Sequence, residues 1–232
     1  PDPRTDGLLP FVSHRLLEYR PQIQKMGHDI RFAIARGPLN IASFLMGTTE
    51  FMMATVMNPG EIHQLLQVIT DFTIDWLQYQ KKLFPEIDGI FILDDIVGFV
   101  GDTECNQFVV PYLYEIFHSF ESSIRFFHND AAGLVSSPYL ESIGVNLFNF
   151  SHEHTIHEIH ELAGPNITLL GNLPPRDVLA AGNPAAVEAG VREMVQSAGE
   201  VKNVIWSCGG GMPPNVSPEN IHTFYNTIVN LS

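Results

Sequence analysis

Ile124-Arg125-Phe126-Phe127-His128-Asn129-Asp130-Ala131 is the stretch on which the reading of this chain turns. Ile124 to Phe127 is a short apolar run of the kind that forms a buried strand. It ends by presenting an imidazole and a carboxylate two residues apart. Positions i and i+2 of an extended segment point the same way, so His128 and Asp130 face one small electrophile or one metal ion together. The other reading is a strand end with a hydrogen-bonded His and a helix-capping Asp. Two donors are fewer than a protein metal site uses, so the surrounding pattern has to decide.

Working outward, the same grammar repeats. Further strands are expected at residues 29–35, 89–93, 146–150, 167–170 and 201–206. Helices are expected between them: residues 8–25, a short one from Ile41, one from Pro59 to about Leu83, one restarting at Pro111, a short one after Pro138, one opened by Asn183-Pro184 and one opened by Ser217-Pro218. The helix after Asn58-Pro59 is the clearest, with Ile62, Leu65, Leu66, Ile69, Phe72, Trp76 and Leu77 at helical spacing. Strands that are continuous apolar runs, alternating with helices, indicate a parallel sheet covered by helices. Polar residues cluster where each strand ends: Arg36, Asp94, His128 with Asp130, Ser151 with His152, Asn172 and Cys208. In a (β/α)8 barrel such ends converge on one face, where active sites are built. Six βα units are two short of a closed barrel. The chain also opens Pro1-Asp2-Pro3 without Met. The expectation is therefore a single barrel domain over residues 1–232, truncated at its N-terminus by one or two units. A doubly wound sheet is the runner-up, but no Gly-rich phosphate fingerprint follows any strand. Open strand edges in a partial barrel would call for a partner chain or cost solubility.

Composition narrows the function. The 232 residues are 45% hydrophobic, ample for one large core, and only 16% are charged. Acidic residues outnumber basic ones 26 to 12, a formal net charge of −14, which argues against nucleic acid or an anionic membrane as partner. No run is long enough to span a bilayer. Two cysteines do not make a disulfide framework and fit a reducing cytoplasm.

Several motifs, taken in order, resemble those of the uroporphyrinogen decarboxylase superfamily. They are Gly37-Pro38 with Ala42-Ser43-Phe44-Leu45, Asp94 after its strand, and Pro111-Tyr112-Leu113 opening a helix. Gly171-Asn172-Leu173-x-Pro175 follows, then Gly209-Gly210-Gly211-Met212-Pro213-Pro214 with Pro218-Glu219-Asn220. The resemblance implies a (β/α)8 barrel and one of two chemistries. One branch decarboxylates a tetrapyrrole without cofactor. The other consists of corrinoid-linked methyltransferases that bind zinc through His-x-Cys and a later Cys. His128 matches the methyltransferase His; Asp130 stands at its first Cys, and a carboxylate is a competent zinc ligand. Position 210, His in one branch and Cys in the other, is Gly here, with Cys208 two residues earlier.

The resemblance thus implies a metal site of His128, Asp130 and Cys208, with His128 and Asp94 catalytic. Arg36, Asp94, Ser151, His152 and Asn172 are the expected substrate contacts. Zinc is the expected cofactor and a separate corrinoid protein the expected partner of an enzyme acting on a small methylated or thiol substrate. Uroporphyrinogen decarboxylase and a non-catalytic corrinoid or tetrapyrrole carrier remain the alternatives, and a homodimer stays open. Asp95 is read as a solvated or capping carboxylate. His154, His157 and His160 are read with Glu153, Glu158 and Glu161 as a solvated face.

Overall fold

The computed structural model describes residues 1–231. Six strands, β1 (Phe32–Arg36), β2 (Gly89–Leu93), β3 (Ile124–Asn129), β4 (Leu147–Phe150), β5 (Thr168–Leu173) and β6 (Val204–Cys208), form one sheet in chain order. All five pairings are parallel. A doubly wound sheet would reverse its strand order at a switch point; this one never does. It is six strands' worth of a (β/α)8 barrel.

Helix α1 (Leu9–Lys25) precedes the sheet, and α2 (Pro38–Met46), α3 (Thr48–Met57) and α4 (Pro59–Leu83) join β1 to β2. A 3-10 turn (Asp95–Phe99), α5 (Asp102–Glu104), a π-helical turn (Cys105–Val109) and α6 (Val110–Phe117) lead to β3. Then α7 (Leu140–Ile143), α8 (Ile156–Ala163), α9 (Pro184–Ala198) and α10 (Pro218–Leu231) follow β3, β4, β5 and β6.

The core lies between the outer face of the sheet and this helical layer. Ala33, Ile90, Ile92, Phe127, Phe148 and Leu169 point into it, and α4 adds Ile62, Leu66, Ile69 and Leu77 from one face. Each of these Ile, Leu and Phe side chains contributes about 1.5–3 kcal/mol when fully buried. Phe127 stacks on Phe148 at 5.9 Å and meets Phe117 edge-on at 6.4 Å, which ties β3, β4 and α6 together. On the inner face Ile34 and Ile205 are almost half exposed. Phe91 stacks on Phe126 at 4.1 Å there.

The elements depart from expectation in several places. Helix α3 has no amphipathic pattern to announce it, since Met53, Val56 and Met57 stay exposed. Helix α8 lies in the His-rich segment because Thr155 and Glu158 form a reciprocal capping box and Ile156, Ile159 and Ala163 bury one stripe. Strand β6 starts later and runs further than residues 201–206, ending at Cys208.

The outer edge of β1 is not bare. Ile34 N–H donates to Gln80 Oε1 at 3.0 Å, and Ile34 C=O accepts from Gln80 Nε2 at 3.0 Å and from Trp76 Nε1 at 3.0 Å. Side chains of α4 thus occupy the backbone groups through which another strand would pair, one of the ways in which sheet edges are blunted. Gln80→Ala strands the Ile34 N–H, at a cost of about 1–3 kcal/mol. Thermal melting should fall by several degrees, and gel filtration should show more self-association than for the wild type.

Candidate functional site

Register sets the site. Arg36, Leu93, His128, Asn149, Leu170 and Ile205 are paired in succession across the six strands, so all share the inner face. Two residues beyond Leu93 and His128 the alternation returns Asp95 and Asp130 to the same side. His128 Nε2 then lies 3.6 Å from Asp95 Oδ1 and 3.8 Å from Asp130 Oδ2. Arg36 Nη1 lies 3.7 Å from the other Asp95 oxygen. Below this cluster Phe91 meets the His128 ring edge-on at 6.4 Å, giving the site an apolar floor.

The other ring nitrogen turns away. His128 Nδ1 is 2.7 Å from Asn149 Oδ1. Nε2, Asp95 Oδ1 and Asp130 Oδ2 therefore converge as three acceptors. Burial lifts Asp95 above the ordinary carboxylate value; the His128 ring opposes this and the Asp130 charge adds to it. Such a set attracts a cation. One donor atom from each of Asp95, His128 and Asp130 falls within 4.8 Å of the others. Ligands about 2.1 Å from a tetrahedral zinc stand about 3.4 Å apart, so small rotations of the two carboxylates suffice. Zinc accepts imidazole nitrogen and carboxylate oxygen, and the donor chemistry fits.

The structure brings together His128 and Asp130, as expected, and adds Asp95. The third expected ligand, Cys208, is on the other face. It pairs with outward-facing Leu173, its Sγ lies 3.3 Å from Gly210 O, and it borders a cavity of about 220 Å³ with Trp206, Met212, Ile221 and Phe224. Burial raises its thiol, which keeps it protonated. Gly210 is the residue beside the cluster. Its φ is +89°, and a Cβ there would stand 2.3 Å from Asp130 Oδ2. The Asp130 carboxylate fills the space that a side chain at position 210 would need.

Asp94 is wholly buried and points outward. Its oxygens accept from Leu39 N–H and Asn40 N–H at 2.9 Å each, capping α2 from a neighbouring strand. Gly37 admits this carboxylate, because a Cβ there would come within 2.3 Å of Asp94 Oδ2. Asn172 donates to the carbonyls of Ser151 and His154, and Ser151 Oγ accepts from Glu153 N–H at 3.3 Å. His152, with Asn172 and Met194, lines a groove that also includes Gly190 and Ser197 of α9. Asp94, Ser151 and Asn172 thus hold the rim and its loops.

Parallel strands in chain order, with a base and two carboxylates where they end, define a barrel of the class whose active sites sit at that face. A family model described as "Uroporphyrinogen decarboxylase (URO-D)" matches residues 26–231, and the chain belongs to that family. A protein of Nocardia farcinica named uroporphyrinogen decarboxylase is 26% identical over 210 residues, covering 84% of this chain and 58% of its own length. One of Coxiella burnetii with the same name is 23% identical, covering 92% and 61%. The chain thus spans about three-fifths of these relatives. Among solved structures, a methyltransferase from Methanosarcina mazei superposes with a TM-score of 0.82 at 18% identity, over 98% of this chain and 66% of that one. A B12-independent methionine synthase from Shewanella sp. follows at 0.58 and 13%, over 92% and 64%. These two likenesses concern the fold. Among the described residues no helix is long and apolar enough to cross a membrane.

Burial raises Asp94 to about 8, against the pull of its two N–H bonds. Between the unfolded value near 3.8 and this one, the folded chain holds a proton that the unfolded chain has released. The group's contribution to stability is therefore full at low pH and declines as pH rises through 8, by up to about 1.4 kcal/mol per pH unit. Urea unfolding from pH 5 to 9 should show the decline. Asp94→Asn should flatten it and lower stability throughout, since its NH2 faces a backbone N–H.

Proposed function

We propose that this chain carries the site of a metal-dependent methyltransferase, moving a methyl group between a corrinoid protein and a small thiol or methylated substrate. The observation that carries the reading is the convergence of His128 Nε2, Asp95 Oδ1 and Asp130 Oδ2 at the strand ends. The fold likeness to a methyltransferase supports it.

Asp95, His128 and Asp130 would hold the ion. Zinc, when bound, lowers the pKa of a thiol so that the thiolate is present to take the methyl group. Arg36, half exposed at the rim, leaves Asp95 to pair with an acidic group of the substrate, for which a guanidinium is suited. The stacked rings of Phe91 and Phe126 would give the ion an apolar surface beneath the cluster. Asp94 does not touch substrate in this reading; it fixes the start of α2, and with it the wall beside Arg36.

The decarboxylase reading has the names of the curated relatives in its favour. Among the described residues, a tetrapyrrole bearing several carboxylates would meet Asp95 and Asp130 beside Arg36, and the Arg-rich substrate loop of that branch belongs to a part of the relatives that this chain does not span. A non-catalytic carrier would retain a visible-absorbing corrinoid or porphyrin without turnover.

Elemental analysis of the purified protein tests the proposal. About one zinc per chain is expected, lost in His128→Ala, together with thiol methylation from methylcobalamin that depends on the metal. Wild-type protein that takes up no zinc would sink the mechanism. Gly210→Ala adds a second check. It places a Cβ against the Asp130 carboxylate at a φ of +89° that strains any L residue, so zinc affinity should fall and the melting temperature should drop by a few degrees, the strain costing about 1–2 kcal/mol.

A further inference from the structure

Asn149 is a polar residue inside an apolar strand, between Phe148 and Phe150, and it is almost fully buried. Its two ends are not interchangeable. Nδ2 lies 2.6 Å from Leu170 O and 3.5 Å from Cys208 O, and a carbonyl only accepts. The amide is therefore locked with its NH2 toward β5 and β6, and Oδ1 is left to face His128 Nδ1 at 2.7 Å. An amide oxygen only accepts as well, so Nδ1 has to carry the proton. The neutral ring then has its lone pair on Nε2, the atom that looks toward Asp95 and Asp130. Register makes the arrangement rigid, since His128 and Asn149 are direct partners across β3 and β4.

We infer that Asn149 is the positioning residue of this site: through the chain Leu170 C=O, Asn149 amide and His128 Nδ1–H it fixes the tautomer that aims a free Nε2 at the cation. Partners of this kind orient the ligands of metal centres, and their loss typically weakens binding about 10- to 100-fold. The consequence for affinity rests on the proposed metal site; the consequence for the tautomer does not.

Two readouts separate a positioning role from mere stitching of β4 to β5. Nitrogen-15 NMR of metal-free protein at alkaline pH reports the His128 tautomer directly. The Nδ1–H form is expected in the wild type and a shift toward the Nε2–H form in Asn149→Leu. Zinc titration by calorimetry should show an affinity about 10- to 100-fold lower in Asn149→Leu, and partly restored in Asn149→Asp, which keeps an acceptor for Nδ1 and, with a proton on its other oxygen, a donor for Leu170 O. An Nε2–H wild-type ring, or a tautomer unchanged in Asn149→Leu, overturns the inference. If the variants fold poorly, the wild-type spectrum alone still distinguishes the two ring forms. Wild-type protein that binds no zinc but shows the Nδ1–H ring refutes the metal reading and leaves the role of Asn149 standing.

Discussion

Consecutive residues of a strand face opposite sides of its sheet, and that alternation governs everything at this rim. Asp94 and Asp95 are chemically identical neighbours with opposite surroundings. One disappears into the helical layer and caps α2; the other joins His128 on the inner face. The order of the strands then supplies the partners. Because β3 lies between β2 and β4, His128 has a carboxylate from one neighbour and an amide from the other. Neither contact is local in sequence, and both follow from the sheet being parallel and unreversed.

The charges at the rim are as uneven as the composition. Two carboxylates and an imidazole lone pair converge, and Arg36 lies beside them, its guanidinium near Asp95. A surplus of negative potential in a half-buried setting draws cations and repels polyanions. Asp95 holds its proton more tightly chiefly because it is buried, the Asp130 charge adding to this and the His128 ring opposing it. The same surplus gives the tautomer of His128 its importance: a proton on Nε2 would occupy the one direction in which the three acceptors can share an ion.

Much of this was legible in the residues. The alternation of elements, the long amphipathic α4, and the common direction of His128 and Asp130 all follow from periodicity. The side to which Asp94 or Asp95 points does not, because β2 is the unbroken apolar run Gly-Ile-Phe-Ile-Leu and has no polar alternation to mark its faces. Cys208 was opaque for a related reason: the triple glycine after it hides how far β6 extends, and its partner Leu173 lies beyond the expected end of β5. Helix α8 did leave a signal, the Thr155-x-x-Glu158 box, masked by the density of histidines around it. Asn149 left one too, as the lone amide between two buried phenylalanines, but its meaning needed the pairing with His128.

The placement of Cys208 bears on durability. Zinc centres built on thiolates are vulnerable because peroxide converts the sulfur to sulfenic acid and beyond, and the metal is lost with it. Among the described residues, the donors gathered around His128 are nitrogen and oxygen. The nearby thiol is turned to the opposite face and kept protonated by burial, the form in which sulfur reacts slowly. A donor set of this composition offers peroxide no sulfur to oxidise.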